Sequence, residues 1–489
     1  MSIQAAKEEL KSLTPFQEDL HVPRNLSEET ISSFFTEFVK CTWYSSIPMR
    51  LKCTQDGDEI VYTVNDSFHL LEYTYLTARL PRIRVKEKYK NRVRIAWCHN
   101  IGNNIIREAT FKEDDEIYQS WDHVWGDIYP QFYQDAGAGK RESHNIGMGN
   151  LQCIEGWSEL LPSYPINIDQ PWFYSTCKAL AFPIFYKNSL TRAEHRYKLN
   201  RKIVNLLRVQ VKDKSGEWKD MTKSKQVGTL IDVASSSDSI RTPELWGRYV
   251  LITDTEINWF KCKDERVMYI RNVENCDTAN PTNFGSKSEV VLQSTNPCVA
   301  MFWVAENTTA QKSKNYSNYT TNADDLYKGW DPVRTTSLMY GTTKRLDHMT
   351  SDHFSIAESR KRFPSAPSET GYHGYAFAGD SMSYHADIGV VFQGLNAVLQ
   401  CDIYNNDIFD ISSDEDGDLY DDDIIGDDDD EAPEIEASLS SQRESKREDR
   451  QIQEGPSFIT RVRLLVMRKF TITKAKRETG EEHFIFKIQ

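Results

Sequence analysis

The chain of 489 residues contains no run of 18 or more apolar residues, so no helical crossing of a bilayer is expected. Its first residues, MSIQAAKEELKSLTPF, lack the apolar core of a signal peptide, and secretion is not expected either. Metal and redox signatures are missing. There is no HExxH pair and no CxxC pair, and His348 and His353, five apart, do not share a helical face. The nine cysteines (41, 53, 98, 153, 177, 262, 276, 298 and 401) are odd in number, scattered and mostly set in apolar runs. They read as small buried hydrophobes of a protein made in a reducing compartment, the cytoplasm. No basic stripe interleaved with aromatics is present, so direct contact with nucleic acid is not expected. The short cluster from Lys86 to Arg94 reads as a solvated loop. Residues 135–143 (DAGAGKRES) imitate a phosphate loop, but Gln134 stands where the first glycine belongs and Arg141 replaces the Mg²⁺-binding hydroxyl. Gly147-Met148-Gly149 has Gln152 where a third glycine would stand. With no nucleophile motif and no carboxylate pair in a pocket context, the reading is of a non-enzyme without catalytic, cofactor or metal residues.

Negative charge is abundant in one place only. Residues 407–436 hold 16 Asp or Glu and no Lys or Arg, and without them the net charge moves from −14 to +2. The run includes Asp414, Asp416, Asp421, Asp422, Asp423, Asp427, Asp428, Asp429 and Asp430. Ser412–Asp423 partly matches a calcium loop, but Ser412 and Asp423 fill the positions that need Asp and a bidentate Glu. Such a segment buries too little apolar surface to offset its ordering entropy. Residues 405–457 are therefore expected to be a disordered acidic insertion. It is an internal loop, because residues 458–468 (FITRVRLLVMR) return to strand alternation with Val462, Leu464 and Val466 on one face.

Short strands dominate what is present. Gln55-Asp56-Gly57-Asp58 between apolar runs predicts a hairpin. Strand candidates recur over Leu199–Val211, Tyr249–Thr253, Val267–Val273, Val290–Gln293, Cys298–Val304, Leu338–Tyr340, Ile388–Ile403, Ile459–Arg468 and Phe484–Ile488. Helical periodicity is confined to two places. One is a short N-terminal segment near Gln4–Leu13. The other is an aromatic stripe of Trp121, Val124, Trp125, Ile128 and Tyr129 at i, i+3, i+4, i+7 and i+8. That stripe is preceded by a strand with Ile105, Ala109 and Phe111 on one face, then a charged turn over Lys112–Glu116. The five residues read as structural core, pinning a helix to a β-sheet. Length and patterning give an all-β chain of two domains.

The whole stretch from 97 to 133, WCHNIGNNIIREATFKEDDEIYQSWDHVWGDIYPQFY, resembles the strand, turn and aromatic helix of major capsid proteins of nucleocytoplasmic large DNA viruses. Residues 67–81 (SFHLLEYTYLTARLP), 171–186 (PWFYSTCKALAFPIFY), 245–260 (LWGRYVLITDTEINWF) and 337–377 are similar to further blocks of that family, in order. The resemblance covers most of residues 34–404. It implies two tandem eight-stranded jelly rolls with short helices in the connecting loops. Residues 1–33 become an N-terminal arm beneath the capsomer, 34–255 the first roll, 256–266 a linker, and 267–489 the second roll. The chain departs from the family in its acidic insertion and in lacking long Gly- and Ala-rich loops.

The implied function is structural. Homotrimers would form pseudo-hexameric capsomers of an icosahedral shell in the virion, assembled in the host cytoplasm. Partners would be neighbouring capsomers, minor capsid proteins and a viral membrane beneath the shell. Two other classes stay open: a double jelly-roll scaffold that shapes the membrane during assembly, and a β-sandwich carbohydrate-binding protein. Abundance in purified particles separates the first two. The sequons at Asn25, Asn65, Asn307, Asn315 and Asn318 read as coincidental in a cytosolic product. Residues 305–330, polar and rich in Asn and Tyr, are expected to be an exposed loop.

Overall fold

The computed structural model describes residues 43–133, 156–176, 180–186, 192–221, 224–234, 239–378, 389–404, 457–476 and 482–488. The expected N-terminal arm over 1–33, the helix expected near Gln4–Leu13, and the acidic residues from Asp414 to Asp430 lie outside them.

Among the described residues, two sets of antiparallel strands build two rolls of one design. In the first, the strands are β1 (Tyr44–Arg50), β2 (Glu59–Thr63), β3 (Leu70–Leu80), β4 (Ile106–Glu113), β5 (Glu116–Asp122), β6 (Tyr164–Asp169), β7 (Ala193–Leu199) and β8 (Glu244–Ile252). They form sheets ordered β1-β8-β3-β6 and β2-β7-β4-β5, with Lys52–Asp56 added beyond β2. In the second roll, the strands are β9 (Glu265–Asp277), β10 (Lys287–Leu292), β11 (Cys298–Asn307), β12 (Val333–Tyr340), β13 (Thr343–Thr350), β14 (Tyr372–Ala376), β15 (Ala397–Ile403) and β16 (Ser457–Lys476). Their orders, β9-β16-β11-β14 and β10-β15-β12-β13, repeat the first pair with every number raised by eight. Glu482–Ile488 pairs with the far end of β16. This is the jelly-roll connectivity twice over, with the two sheets of each roll burying their facing residues.

Local sequence explains much of this. β4 alternates buried Ala109, Phe111 and Glu113 with more accessible residues, while Ile105, expected on the same strand face, lies in the short helix just before it. The hairpin before β2 turns at Gly57-Asp58, one residue later than Asp-Gly at its centre would place it, and Gly57 supplies the positive φ of +58°. Within the candidate strand over 388–403, of which residues 389–403 are described, only Ala397–Ile403 forms a strand. β13 and β14, which carry few aliphatic residues, had no separate strand signal. Two helices matter below: α1 (His123–Tyr133) after β5, and α2 (Asp254–Lys261), which leads from the first roll towards the second. Thr253 caps α2 by accepting the N–H of Glu256. Among the described residues no helix is long and apolar enough to cross a membrane.

Candidate functional site at the seam between the rolls

All ten residues of β11 are buried, and this locates the seam. A strand covered on both faces reads as a continuous apolar run. Met301, Trp303 and Ala305 enter the core of the second roll. Ala300, Phe302 and Val304 face the other way and join the core of the first. The outer face of the β9-β16-β11-β14 sheet is therefore an internal interface. Against it lie the β5 edge and α1: the Ser120 N–H donates to Asn272 Oδ1, and Tyr118 meets Phe470 edge-on at 5.4 Å.

The residues expected to pin a helix to the first barrel do something broader. Trp121 lies in strand β5, not in the helix, because pairing with Ala109 extends the strand through Asp122. Val124, Trp125 and Ile128 lie on α1 and are buried, as is Trp121, while Tyr129 is half-buried. The helix belongs to both rolls. Trp125 packs on Phe302 at 5.6 Å, and Phe132 packs on Phe302 at 4.8 Å and on Phe363 at 5.2 Å. The approach is close enough that a Cβ on Gly374 of β14 would stand 2.8 Å from the Phe132 ring. Past the last turn, Phe132 O accepts the Ser365 N–H and Gln131 Oε1 accepts that of Ser368.

Two polar clusters run through this apolar seam. In the first, Arg463 of β16, with a side chain only 1% exposed, donates to both oxygens of Asp122 and to Asp277 Oδ1 at 2.6 Å. Asp122 also caps α1 by accepting the Trp125 N–H at 3.1 Å. Arg461, two residues earlier on the same face, binds Asp277 at 3.0 Å and the buried Glu306 at 2.7 Å. His123 Nε2 lies 3.6 Å from the other Glu306 oxygen. Burial by itself raises the carboxyls of Asp122 and Glu306, but Arg463 for the one, and His123 with Arg461 for the other, hold them below their ordinary range. Burial disfavours the His123 imidazolium, yet Glu306 and Asp122 outweigh it and raise the pKa. The result is a chain of alternating charges that ties β5 and α1 to β9, β11 and β16.

In the second cluster, Asp127 of α1 is buried, and burial raises its pKa against its hydrogen bonds. Its Oδ1 accepts Asn100 Nδ2 at 3.0 Å and Asn103 Nδ2 at 2.9 Å, and its Oδ2 accepts the hydroxyl of Tyr319 at 2.9 Å. Pro130 has no N–H to give the carbonyl of Gly126, four residues back. Asn103 Nδ2 reaches that carbonyl at 2.9 Å instead. A proline inside a helix is thus accommodated by a side chain from the neighbouring turn.

The stretch 305–330 is not the exposed loop its polarity suggests. Asn307, Asn315, Ser317, Asn318, Tyr319 and Thr320 are buried against the first roll, and exposure is concentrated in the distal part, with Tyr327 and Trp330. Burial is tolerated because side-chain amides serve the loop's own carbonyls: Asn307 donates to Thr320 O, Asn315 to Ala323 O and Asn318 to Asn322 O. Asn104 reaches across to Ser317 Oγ at 2.7 Å, and Lys314 to Val204 O at 2.6 Å. Three of the five sequon asparagines are consequently inaccessible in the folded chain. The sequence signals for the seam were weak: two arginines on the polar face of an apolar strand, and an aspartate and a proline within an apolar helix.

The two rolls are thus joined through a buried, charge-laced seam. The fold is that of the double jelly-roll shell proteins of viruses. It superimposes on a quasi-atomic model of the PBCV-1 virus capsid with a TM-score of 0.61, covering 93% of this chain and 100% of the other at 10% identity. It matches the Faustovirus major capsid protein with a TM-score of 0.61, covering 96% and 98% at 6% identity. In sequence, residues 32–252 match the N-terminal family of major capsid proteins, and residues 256–388 match the major capsid protein family of large eukaryotic DNA viruses. The major capsid protein of Invertebrate iridescent virus 6 is 25% identical over 374 residues, 71% of this chain and 77% of that one. That of Lymphocystis disease virus 1 is 24% identical over 382 residues, 72% and 78% of the two chains. The chain belongs to the major capsid proteins of the large eukaryotic DNA viruses. Its role is structural, in the capsid of the virion.

Proposed function

We propose that the chain assembles as a homotrimer in which six jelly rolls form a pseudo-hexagonal capsomer, the repeating tile of an icosahedral shell. The observation that carries this is the repetition of one strand order in both rolls, which meet at a buried seam. Two quasi-equivalent units per subunit let three subunits present six similar sides, and a closed ring is the normal outcome of a heterologous contact. In the particle, neighbouring capsomers, minor capsid proteins and a membrane beneath the shell are the partners, and assembly takes place in the host cytoplasm. Mass photometry and negative-stain imaging of the purified protein test this directly. A trimer with a hexagonal outline is expected, and a uniformly monomeric protein in native salt refutes it.

The acidic insertion belongs on the outer side of the capsomer in this reading. It joins β15 to β16, so it leaves the second roll at the same end as the loops between β9 and β10, β11 and β12, and β13 and β14. Three copies of its 16 carboxylates, counted over residues 407–436, would repel a packaged polyanionic genome from inside. Outside, they are hydrated and screened over roughly 8 Å at physiological salt. Colloidal repulsion between particles, or capture of cations and basic partners, follows from that placement.

A further inference from the structure

The seam inside one chain joins two unlike surfaces. The second roll contributes the outer face of β9-β16-β11-β14, and the first contributes the β5 edge with α1. Because the rolls share one strand order, each surface has a counterpart elsewhere on the chain. The counterpart of the covered sheet is the outer face of β1-β8-β3-β6. The counterpart of the β5 edge and α1 is the β13 edge with the helical segment His353–Arg362 that follows it.

The correspondence extends to single residues. On the covered sheet, Arg463 of the last strand stands opposite Phe302 of β11 in the ladder. On the first roll, Arg248 of the last strand stands opposite Tyr73 of β3. Phe302 is the ring that receives Trp125 and Phe132. Tyr73 and Tyr75 are half-buried, and Tyr73 and Asp169 line a cleft of about 390 Å³ between β3, β6 and the outer flank of α1. The matching helical segment exposes Ile356 at 45% and ends in exposed Arg360, Lys361 and Arg362. An apolar side chain and a basic turn thus face outward on one side of the chain. A cleft with aromatic walls and an aspartate opens on the other.

We propose that these two surfaces meet between subunits: the segment His353–Arg362 of one copy docks on the Tyr73–Tyr75 face of β3 in the next, with Ile356 in the cleft. The contact repeats between chains what Trp125 and Phe302 do within one. It rests on the trimer reading and assigns it an interface. The contact is heterologous, so each subunit gives one surface and receives on the other, and the ring closes without leaving either exposed.

The test uses the full-length chain. Ile356→Arg and Tyr73→Arg are compared with wild type by mass photometry, with circular dichroism and thermal unfolding as folding controls. Loss of the trimer at concentrations where wild type is wholly trimeric, with the fold intact, is the expected result. Where an arginine variant fails to fold, the milder pair Tyr75→Cys with Ile356→Cys decides. Treatment with a short bis-maleimide should give covalent dimers and trimers that neither single variant forms. Variants that stay trimeric, or a trimeric double-cysteine protein that gives no such ladder, overturn this interface and leave the trimer standing. A monomeric wild type overturns both.

Discussion

Replacing Arg463 with alanine should weaken the seam between the rolls. The guanidinium is 1% exposed and bound to carboxylates from both rolls, Asp122 and Asp277. Removing one partner of a buried ion pair costs about 3–5 kcal/mol, because the opposite charge is left desolvated. Here the lower end, about 3 kcal/mol, applies by the same reasoning, since Asp122 and Asp277 retain 18% and 28% side-chain exposure and can regain water. Asp122 also caps α1, so its disturbance reaches the helix that holds Trp125. The assay is urea unfolding at fixed protein concentration, run as a double-mutant cycle with Arg463→Met and Asp122→Asn. Contacting charges in one network should show a coupling of about 1–3 kcal/mol. A coupling near zero, or an alanine variant within about 0.5 kcal/mol of wild type, the range of an ordinary surface substitution, would refute the view that this pair locks the rolls together.

Trp125→Ala should cost about 3–5 kcal/mol and loosen both rolls, read as a single lowered unfolding midpoint; unchanged thermal stability would mean the ring contributes nothing to the seam. Asn103→Leu strands the Gly126 carbonyl and one bond to Asp127, an expected loss of about 1–3 kcal/mol by the same unfolding assay. Seam stability should also depend on pH. The lowered Asp122 and Glu306 contribute above their ordinary values and lose that contribution as pH falls through the lowered ones, whereas the raised His123 contributes below its ordinary value and loses it as pH rises through the raised one. For these three groups the plateau lies between the ordinary values of 4.5 for Glu306 and 6.5 for His123, while the raised Asp127 works against stability as pH rises above its ordinary value, and His123→Gln should reduce the decline above 6.5 in a pH series of unfolding midpoints. Deleting 407–436 should leave the trimer intact on mass photometry and raise the isoelectric point. Limited proteolysis of intact particles should cut within the insertion, and protection until the shell is opened would place it inside.

What the sequence determined by itself is what short-range periodicity can encode. Alternation along β4 and β16, the turn at Gly57 and the run of aspartates after 404 each depend on neighbours a few residues apart, so the all-β character and the internal acidic insertion were legible. The order of family-like blocks supplied the double roll. Tertiary structure alone decided what lies on the far side of each polar face. Arg461 and Arg463 alternate with Val462 and Leu464 as a half-exposed strand should, yet their face meets Asp122, Asp277 and Glu306 rather than water. The period of two fixes which residues share a face and carries no information about what covers it. Trp121 fitted a helical stripe because i and i+4 spacing also arises when a strand runs straight into a helix, and only pairing with Ala109 sets the boundary. The Asn-rich loop read as exposed because polarity ordinarily follows water. Its amides instead satisfy the loop's own backbone, and that depends on a three-dimensional closure the linear order does not contain.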